Sequence, residues 1–456
     1  MFYQRIFVVA LPLLLAACAS VPDDWGRADV ARVAGEHGRK LPQVKDAATL
    51  IAERTQAPLT ADSAVQLALL NNPDLRAQAA QLGIAAADVY EAGRLANPVL
   101  SATRLSPGDN NQPHPQLTLG VAFNFVNLLF LPANSRYAKA GFESAKLGAS
   151  AAALELAAHT EAAWFEAAGA DRIALMREQA STAAQASATL AQRYFDAGNI
   201  SQKQLAMEQA SATRARLDAI SARAAAVDAH GALNRLMGLS ATQDGWQLDG
   251  QFPEPPSQVE DLDALLKTAM GSRLDVDAAR AQSQALAARY GLQRRTRLIG
   301  SIEVGAERER DFDGSLNAGP TASIELPLFD WGGGRKARAQ AELDRSEAQL
   351  DGLVLDVGND VKRAQARMSA AQQRALAYRD ELIPQREAIV ASLQKEVNYM
   401  LAGVFELLVA KQDEYDAYAG YVEATKDYWT ARAELARAIG RALPREVADT
   451  EHAGEN

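Results

Sequence analysis

The sequence is poor in the residues that build metal centres, disulfides and catalytic sites. It contains one cysteine, Cys18, and five histidines among 456 residues. A single thiol excludes an intrachain disulfide and any zinc site that needs paired thiolates. No two histidines have the i, i+4 spacing that places two imidazoles on one helix face, and no nucleophile has a histidine and an acid at a recognisable spacing. The sequence therefore predicts a protein that is not an enzyme and has no catalytic residues, metal or cofactor.

Aromatic residues are also few, and basic residues do not outnumber acidic ones. Aromatic residues make up 6% of the chain, whereas hydrophobic residues make up 48%, many of them alanine. Small side chains favour long, closely packed helices over a wide globular core. The 57 acidic residues outnumber the 47 basic ones and give a formal net charge of −10. Without a basic excess, nucleic acid is not an expected partner.

The first residues are typical of an export signal. Arg5 precedes an apolar run at 6–15, which is shorter than the ~20 residues that a membrane-spanning helix needs. The run ends in Leu15-Ala16-Ala17-Cys18, which resembles the lipobox of bacterial lipoproteins, where the signal is cut before a diacylated cysteine. An ordinary cleavage site followed by a free thiol is the alternative. We expect lipidation of Cys18, and Ala19 in place of aspartate implies sorting to the outer membrane.

The spacing of apolar residues switches between a helical and a strand period along the chain, and the same order of segments occurs twice. The predicted segments are a signal peptide at 1–17, a lipid-anchored extended arm at 18–58, a first repeat at 59–240, a linker at 241–260, a second repeat at 261–441 and a polar tail at 442–456. Each repeat is predicted to contain a helix (60–96 and 262–295), a strand hairpin (97–127 and 299–327), a long helix (132–197 and 334–401) and a return helix (201–237 and 405–441). Landmarks recur at an offset of about 201 to 205 residues, including Gly198 with Gly403.

The four predicted strands are amphipathic. In the second, Leu117, Leu119, Val121, Phe123 and Phe125 alternate with small and polar residues. Strands of about ten residues can cross an outer membrane when tilted. Four strands cannot close a barrel, and an open edge in hydrocarbon leaves amides unpaired at several kcal/mol each. Three copies would give twelve strands and an aqueous lumen, whereas the eight strands of two copies would enclose a barrel filled by side chains.

The helices of the second repeat show coiled-coil patterns. The long helix has a predicted seam at Leu343, Leu350, Val354, Val357, Val361, Ala364 and Met368. The return helix has one at Val404, Leu408, Tyr415, Tyr418, Val422, Trp429 and Ile439. Pro384 lies within the predicted long helix, where the missing amide is expected to kink it.

Four motifs in order resemble the TolC family of outer-membrane channels, over about residues 59 to 441. They are LTADSA through NNPDL (59–75), RYFDAGNIS (193–201), IELPLFD (324–330) and MLAGVFELL (400–408). The resemblance implies a mainly α fold with a small transmembrane β part, in which a homotrimer forms a shared 12-stranded β-barrel and an α-helical barrel. It also implies a periplasmic adaptor and an inner-membrane pump, with the fourth motif similar to the heavy-metal branch of the resistance-nodulation-division (RND) type. The implied function is passive conduction of metal ions or small organic compounds from a tripartite efflux pump to the exterior.

The resemblance also assigns the site residues. The helix-hairpin tips would contact the adaptor through Gly198, Asn199, Ile200, Gly403, Val404 and Phe405. Asp196 and Glu406 lie beside the tips, where a symmetric tube would place each in a ring of like charges that gates or binds cations. Turn formation by the glycines and solvated helix-end charges are the alternatives. The second tip is expected to be about two residues shorter than the first.

Two other classes remain open at this stage. A periplasmic coiled-coil structural or adaptor lipoprotein without a barrel would have loops at 97–127 and 299–327. An envelope hydrolase held by its lipid would need a nucleophile or metal set, and the scattered histidines argue against it.

Overall fold

The computed structural model describes residues 24–41, 58–106, 114–240, 242–243, 245–249, 252–256, 261–296 and 300–443. Its helices are α1 Arg27–Glu36, α2 Ala61–Asn71, α3 Pro73–Ala92, α4 Phe125–Asp196, α5 Gln202–Met237, α6 Leu262–Ser272, α7 Leu274–Thr296, α8 Gly333–Ala377, α9 Ile383–Asn398 and α10 Val404–Ile439. Its strands are β1 Val99–Leu105, β2 Gln116–Asn124, β3 Ile302–Arg310 and β4 Leu316–Ile324. The predicted signal peptide, Cys18 and residues 444–456 of the predicted tail lie outside the described residues.

The chain divides into two compact units. One, the sheet unit, contains Ala79–Ala149 and Asp275–Leu353 with the described residues up to Val30. The other, the helical unit, contains the described residues of Ala31–Gln78, Ser150–Leu274 and Val354–Asn456. Each unit therefore takes residues from both halves of the sequence.

The sheet unit contains one antiparallel sheet in the order β1-β2-β3-β4. β1 pairs with β2 from Val99↔Ala122 to Leu105↔Gln116, and β3 pairs with β4 from Ile302↔Ile324 to Arg310↔Leu316. Both predicted hairpins are confirmed. β2 and β3 join the two hairpins, so that β1 and β4 are the edges of the sheet.

The two faces of the sheet differ in polarity and exposure. Because directly opposed residues point to the same side, the register assigns each position to a face. One face, the apolar face, includes Leu100, Leu119, Val121, Val304, Ala306, Ala322 and Ile324. The other, the polar face, includes Ser101, Thr118, Gly120, Glu303, Gly305, Glu307, Glu309 and Thr321. In β2 every apolar-face residue is exposed and every polar-face residue is half-buried, so in this strand the polar face is the more covered of the two.

Two glycines on the polar face allow neighbouring strands to lie close together. A Cβ at Gly305 would lie 2.4 Å from the carbonyl oxygen of Val121, and one at Gly120 would lie 2.6 Å from Oγ of Ser101. Side chains at these positions would push the strands apart. The strand pairing therefore depends on small residues on the polar face.

In the helical unit, two equivalent joints tie the short helices to the return helices. At the first joint, Nδ2 of Asn71 donates to the carbonyl of Gly238 at 2.6 Å. At the second, the guanidinium of Arg273 donates to the carbonyl of Ala438 at 3.1 Å. Gly238 and Gly440 both adopt left-handed backbone angles and end α5 and α10. The two halves of the sequence thus use the same device to close a helix end.

Each predicted opening helix is two helices in the structure. The first breaks at Asn72, where Pro73 removes a backbone donor. Oδ1 of Asn72 accepts hydrogen bonds from the amides of Asp74 and Leu75, at 2.9 and 3.0 Å, and caps the second piece. The second opening helix breaks at Arg273 without a proline. The first piece is capped by Thr60, whose side chain accepts from the amide of Ser63.

Two other predicted boundaries are wrong. Residues 27–36 form α1 rather than an extended arm, because Asp24 accepts from the amides of Gly26 and Ala28 and one face buries Val30 and Ala34. The helix α4 begins directly after β2 instead of after Pro132, because Oδ1 of Asn124 accepts from the amide of Asn127. Pro132 is tolerated inside its first turns.

Just before Pro384, where a kink is predicted, the structure has a π-helical turn at Tyr378–Leu382. The amide of Ile383 donates to the carbonyl of Tyr378, one residue further back than in an α-helix. A Cβ at Gly420 would lie 2.5 Å from Cζ of Tyr378. Because Gly420 of α10 has no side chain, the ring of Tyr378 in the π-helical turn fits against α10.

The core seams are only partly as predicted. In α8, Leu343, Val357, Val361, Ala364 and Met368 are buried as expected. In α10, Trp429 and Ile439 of the predicted seam are buried, whereas Leu408, Tyr415, Tyr418 and Val422 are half-buried. The buried stripe is formed by alanines at every seventh position, namely Ala410, Ala417, Ala424, Ala431 and Ala438. Small side chains let neighbouring helices approach closely, which places the larger residues on the flanks.

An aromatic cluster anchors the irregular segments of the helical unit. The indole of Trp164 donates to the carbonyl of Leu59 at 2.7 Å, and that of Trp429 donates to the carbonyl of Pro253 at 2.8 Å. The ring of Phe165 stacks on Trp429 and on Phe252, with centroids 5.4 and 6.0 Å apart. The entry to α2 and part of the predicted linker are therefore held against the helices.

Candidate functional site

The first helix-hairpin tip follows α4 in the helical unit. Gly198 has φ +76°, which suits glycine. Its amide donates to the carbonyl of Phe195, and the amide of Asn199 donates to the carbonyl of Tyr194, both at 2.8 Å. These two bonds form a Schellman motif. Ser201 then caps α5 by accepting from the amide of Gln204.

The second tip has the same backbone with a different residue at its centre. Met400 has φ +61°. Its amide donates to the carbonyl of Val397 at 3.0 Å, and the amide of Leu401 donates to the carbonyl of Glu396 at 2.8 Å. Gly403 has φ −81° and is the N-cap of α10. Met400 is therefore the equivalent of Gly198, and Gly403 is the equivalent of Ser201.

This equivalence corrects two predictions. The pairing of Gly198 with Gly403 is wrong, because Gly403 lies in extended backbone before a helix. The expected difference in tip length is wrong as well, because in both tips the N-cap follows the left-handed residue after two intervening residues. The sequence pattern pairs the two glycines, whereas the backbone geometry pairs Gly198 with Met400 and Ser201 with Gly403.

The second tip exposes three large side chains that the sequence analysis did not select. The exposed fractions of Tyr399, Met400 and Leu401 are 77%, 94% and 77%. A non-glycine residue with left-handed backbone carries strain of about 1–2 kcal/mol. Strain and exposed apolar surface together are typical of a contact site. Met400 and Gly198 lie at the same distance before the N-cap of the following helix. This equal spacing is the signal that could have revealed the site.

The two tips are neighbours within the helical unit. The rings of Tyr194 and Phe405 meet edge to face, with centroids 5.9 Å apart. Ile200, Val404 and Phe405 are half-buried, whereas Asn199 and Gly403 are exposed. The structure therefore brings the predicted tip residues of both hairpins into one region.

The two candidate gate carboxylates differ in their local partners. Oδ1 of Asp196 accepts from Nε2 of Gln192 at 2.8 Å, at the end of α4. Glu406 lies exposed in the first turn of α10, and its carboxylate has no hydrogen-bond partner among the described residues. A carboxylate in a first turn is favoured by the helix dipole. Glu406 is thus free to face another molecule, whereas Asp196 is partly engaged within its own helix.

A cavity of about 160 Å³ lies behind the tips, between α4, α5 and α10. It is lined by Ala184, Ser187, Met207, Leu408 and Tyr415, among others. Drug-sized ligands occupy pockets of roughly 300–1,000 Å³. The cavity is therefore too small for such a ligand.

Charged side chains clamp α10 to its neighbours further from the tips. Nζ of Lys426 lies 2.9 Å from Oε1 of Glu166. Burial lowers the pKa of Lys426, but the hydrogen bond to Glu166 and the charges of Glu166 and Asp427 raise it more, so the net shift is upward. The hydroxyl of Tyr418 donates to Glu387, which raises the pKa of Tyr418 to about 12. Both groups therefore keep their protons, and these contacts persist, at neutral pH.

The described ranges contain neither a metal-binding cluster nor a membrane-spanning helix. No group of three histidine, cysteine, aspartate or glutamate side chains is placed to hold a metal ion. No helix in this part of the chain combines the length and apolar character needed to cross a membrane.

The chain is similar to known proteins along most of its length. It is 29% identical to Protein CyaE of Bordetella pertussis over 335 residues, which are 68% of this chain and 69% of that protein. The Campylobacter jejuni CmeC outer membrane channel has a TM-score of 0.72 at 16% identity, covering 88% of this chain and 89% of that one. The outer membrane protein VceC of Vibrio cholerae has a TM-score of 0.67 at 19% identity, covering 84% and 96%.

The second half of the chain also matches a family model. Residues 265–441 match the outer membrane efflux protein family, which agrees with the resemblance inferred from the motifs. The chain thus has the fold of the CmeC and VceC outer-membrane proteins and, over residues 265–441, the sequence pattern of the outer membrane efflux protein family.

Proposed function

We propose that this chain is the outer-membrane channel of an efflux system and works as a homotrimer. The observation that carries the proposal is the four-stranded sheet, which has an exposed apolar face and a polar face opposite to it. Exposing apolar surface to water costs about 25 cal/mol per Å². In an outer membrane the apolar face would contact lipid and the polar face would line an aqueous lumen.

The two sheet edges explain why several copies are needed. β1 and β4 are hydrogen-bonded to a neighbouring strand on one side only. In hydrocarbon each unpaired amide or carbonyl costs several kcal/mol. Pairing β1 of one copy with β4 of the next closes a barrel without edges. Three copies make a barrel of twelve strands with an aqueous lumen.

The barrel proposal also assigns roles to the helical unit, its tips and Cys18. The helical unit would form an α-helical barrel on the periplasmic side, and its tips would contact a periplasmic adaptor. Cys18 would carry the lipid anchor. An inner-membrane pump, of the RND type, would supply the energy, while the channel conducts metal ions or small organic compounds passively and catalyses no reaction. CmeC is described as an outer membrane channel, which supports this assignment.

The test uses the purified full-length chain. We expect a trimer on gels that dissociates on heating, and stepwise ionic conductance when it is added to a planar bilayer. A monomer without β signal in circular dichroism and without conductance would contradict the proposal and favour a coiled-coil lipoprotein without a barrel. A strain lacking the gene, tested across metals and antibiotics, would then identify the exported solutes.

A further inference from the structure

The apolar face of the sheet ends in a cluster of arginines at one end only. The strands join helices at one end of the sheet, the helix end; at the other, the loop end, residues 106–115 connect β1 to β2 and residues 311–315 connect β3 to β4. Arg104 and Arg310 are both opposite Leu117 in the loop-end row, and Arg308 is opposite Leu119 in the next row. All three arginines therefore lie on the apolar face.

The backbone positions of the three arginines are close together. Arg104 and Arg310 are separated by two strand spacings, about 9.6 Å, and Arg308 lies two residues from Arg310, about 6.6 Å along the strand. All three side chains are exposed. Among the described residues, no ion pair or side-chain hydrogen bond involves any of the three.

Among the described residues, the nearest carboxylates lie on the polar face or accept hydrogen bonds from backbone amides. Glu307 and Glu309 point to the opposite face, and Glu309 accepts a hydrogen bond from Gln116. In the β3–β4 loop, Oδ1 of Asp311 accepts from the amide of Phe312 and Oδ1 of Asp313 accepts from the amide of Ser315, both at 2.8 Å. No carboxylate of the described residues is thus left to pair with the arginine cluster, which favours an external anion.

The opposite end of the sheet has a different composition. Phe329 and Trp331 follow β4 and are 100% and 64% exposed, and Phe125 follows β2 and is also exposed. Exposed aromatic rings are typical of a membrane–water interface. Arginine on a lipid-facing strand costs about 2–4 kcal/mol at the bilayer centre but about 0–1 kcal/mol near the interface. The two ends thus mark the two interfaces, with the arginines at the outer one.

We infer that Arg104, Arg308 and Arg310 bind the phosphate groups of an outer-leaflet lipid whose headgroup carries two phosphates. The inference rests on the proposed function, because it requires the apolar face to contact lipid. The cluster continues directly into the apolar rows of Leu117 and Leu119, so the ligand must combine anionic groups with acyl chains. Guanidinium binds phosphate through two parallel hydrogen bonds. A lipid fits both parts of this surface, whereas a soluble anion fits only one.

The test measures binding of diphosphoryl and monophosphoryl lipid A to the full-length protein in detergent by native mass spectrometry. We expect tighter binding of the diphosphoryl form, and affinity reduced about tenfold or more in R308Q/R310Q, since hydrogen bonds between charged groups contribute about 1.5–3 kcal/mol each. R104Q should have a smaller effect in the same direction. Arg216 of α5, which is exposed and outside the sheet unit, gives the control R216Q, which should bind like wild type.

Equal affinity of wild type and R308Q/R310Q for diphosphoryl lipid A would overturn the inference. Displacement of the lipid by millimolar inorganic phosphate would overturn it as well, because the site would then bind soluble anions. Conductance of the same preparations separates the two proposals. A wild type that conducts while the variants bind lipid equally well refutes only the lipid site, whereas a wild type that neither assembles nor conducts refutes the channel and the lipid site together.

Discussion

Val121→Arg should prevent the chain from assembling in membranes. Val121 lies on the apolar face, directly opposite Leu100 on β1 and Ala306 on β3. Arginine at the lipid-facing midplane of a β-barrel costs about 2–4 kcal/mol. A symmetric trimer carries the substitution three times, so the expected cost of assembly is about 6–12 kcal/mol. The measurement is the fraction of chain recovered as heat-labile trimer from the outer-membrane fraction.

A matched arginine on the other face provides the control. Thr118 lies on the polar face, directly opposite Glu309. Thr118→Arg adds the same side chain to the same strand, where it would face water and a carboxylate. We expect normal assembly for this variant. If both variants assembled equally well, the apolar face would not be in contact with lipid.

Met400→Gly should stabilise the helical unit and weaken the function of its tips. Glycine removes about 1–2 kcal/mol of steric strain at the left-handed position. Its greater freedom in the unfolded chain cancels about 0.5–1 kcal/mol of that gain in stability. The free energy of unfolding should therefore rise by about 1 kcal/mol. The same change removes a side chain that is 94% exposed, and loss of such an anchor costs about 2 kcal/mol of binding. Denaturant unfolding and export by cells that depend on this chain are the two measurements.

Two further variants separate strain from contact. Gly198→Met introduces the strain at the equivalent position of the first tip and should lower the free energy of unfolding by about 1 kcal/mol. Met400→Ala keeps a side chain in the left-handed region but shortens it, so it should impair export without restoring stability. If Met400→Gly were destabilising, the assignment of Met400 as the strained residue would be wrong. If it left export unchanged, the tip would not act through this side chain.

The strands were the most predictable part of the fold. Apolar residues alternate with small or polar ones along the whole of β2, and segments that contain glycine or proline flank both hairpins. Local chemistry also determines the cap at Thr60 and the interruption near Pro384. These features depend on residues close together in sequence, which is why a single sequence reveals them.

The features that were missed depend on distant contacts or on backbone angles. The alanine stripe from Ala410 to Ala438 is buried because other helices approach α10 closely, and larger residues beside it formed a more conspicuous pattern. Nothing in the identity of Met400 indicates a positive φ. The helix α1 contains only two buried apolar residues, Val30 and Ala34, too few to produce a recognisable period.

Cysteine cross-linking between sheet edges tests the central claim most directly. Ser101 on β1 and Gly319 and Thr321 on β4 lie on the polar face, and opposed residues of paired strands are close enough for a disulfide. In membranes, Ser101→Cys combined in turn with Gly319→Cys or Thr321→Cys should give covalent dimers and trimers for at least one pair. Ser101→Cys with Glu307→Cys should give none, because those positions lie two strands apart. Failure of every β1–β4 pair to cross-link would contradict a barrel built from several copies of this chain.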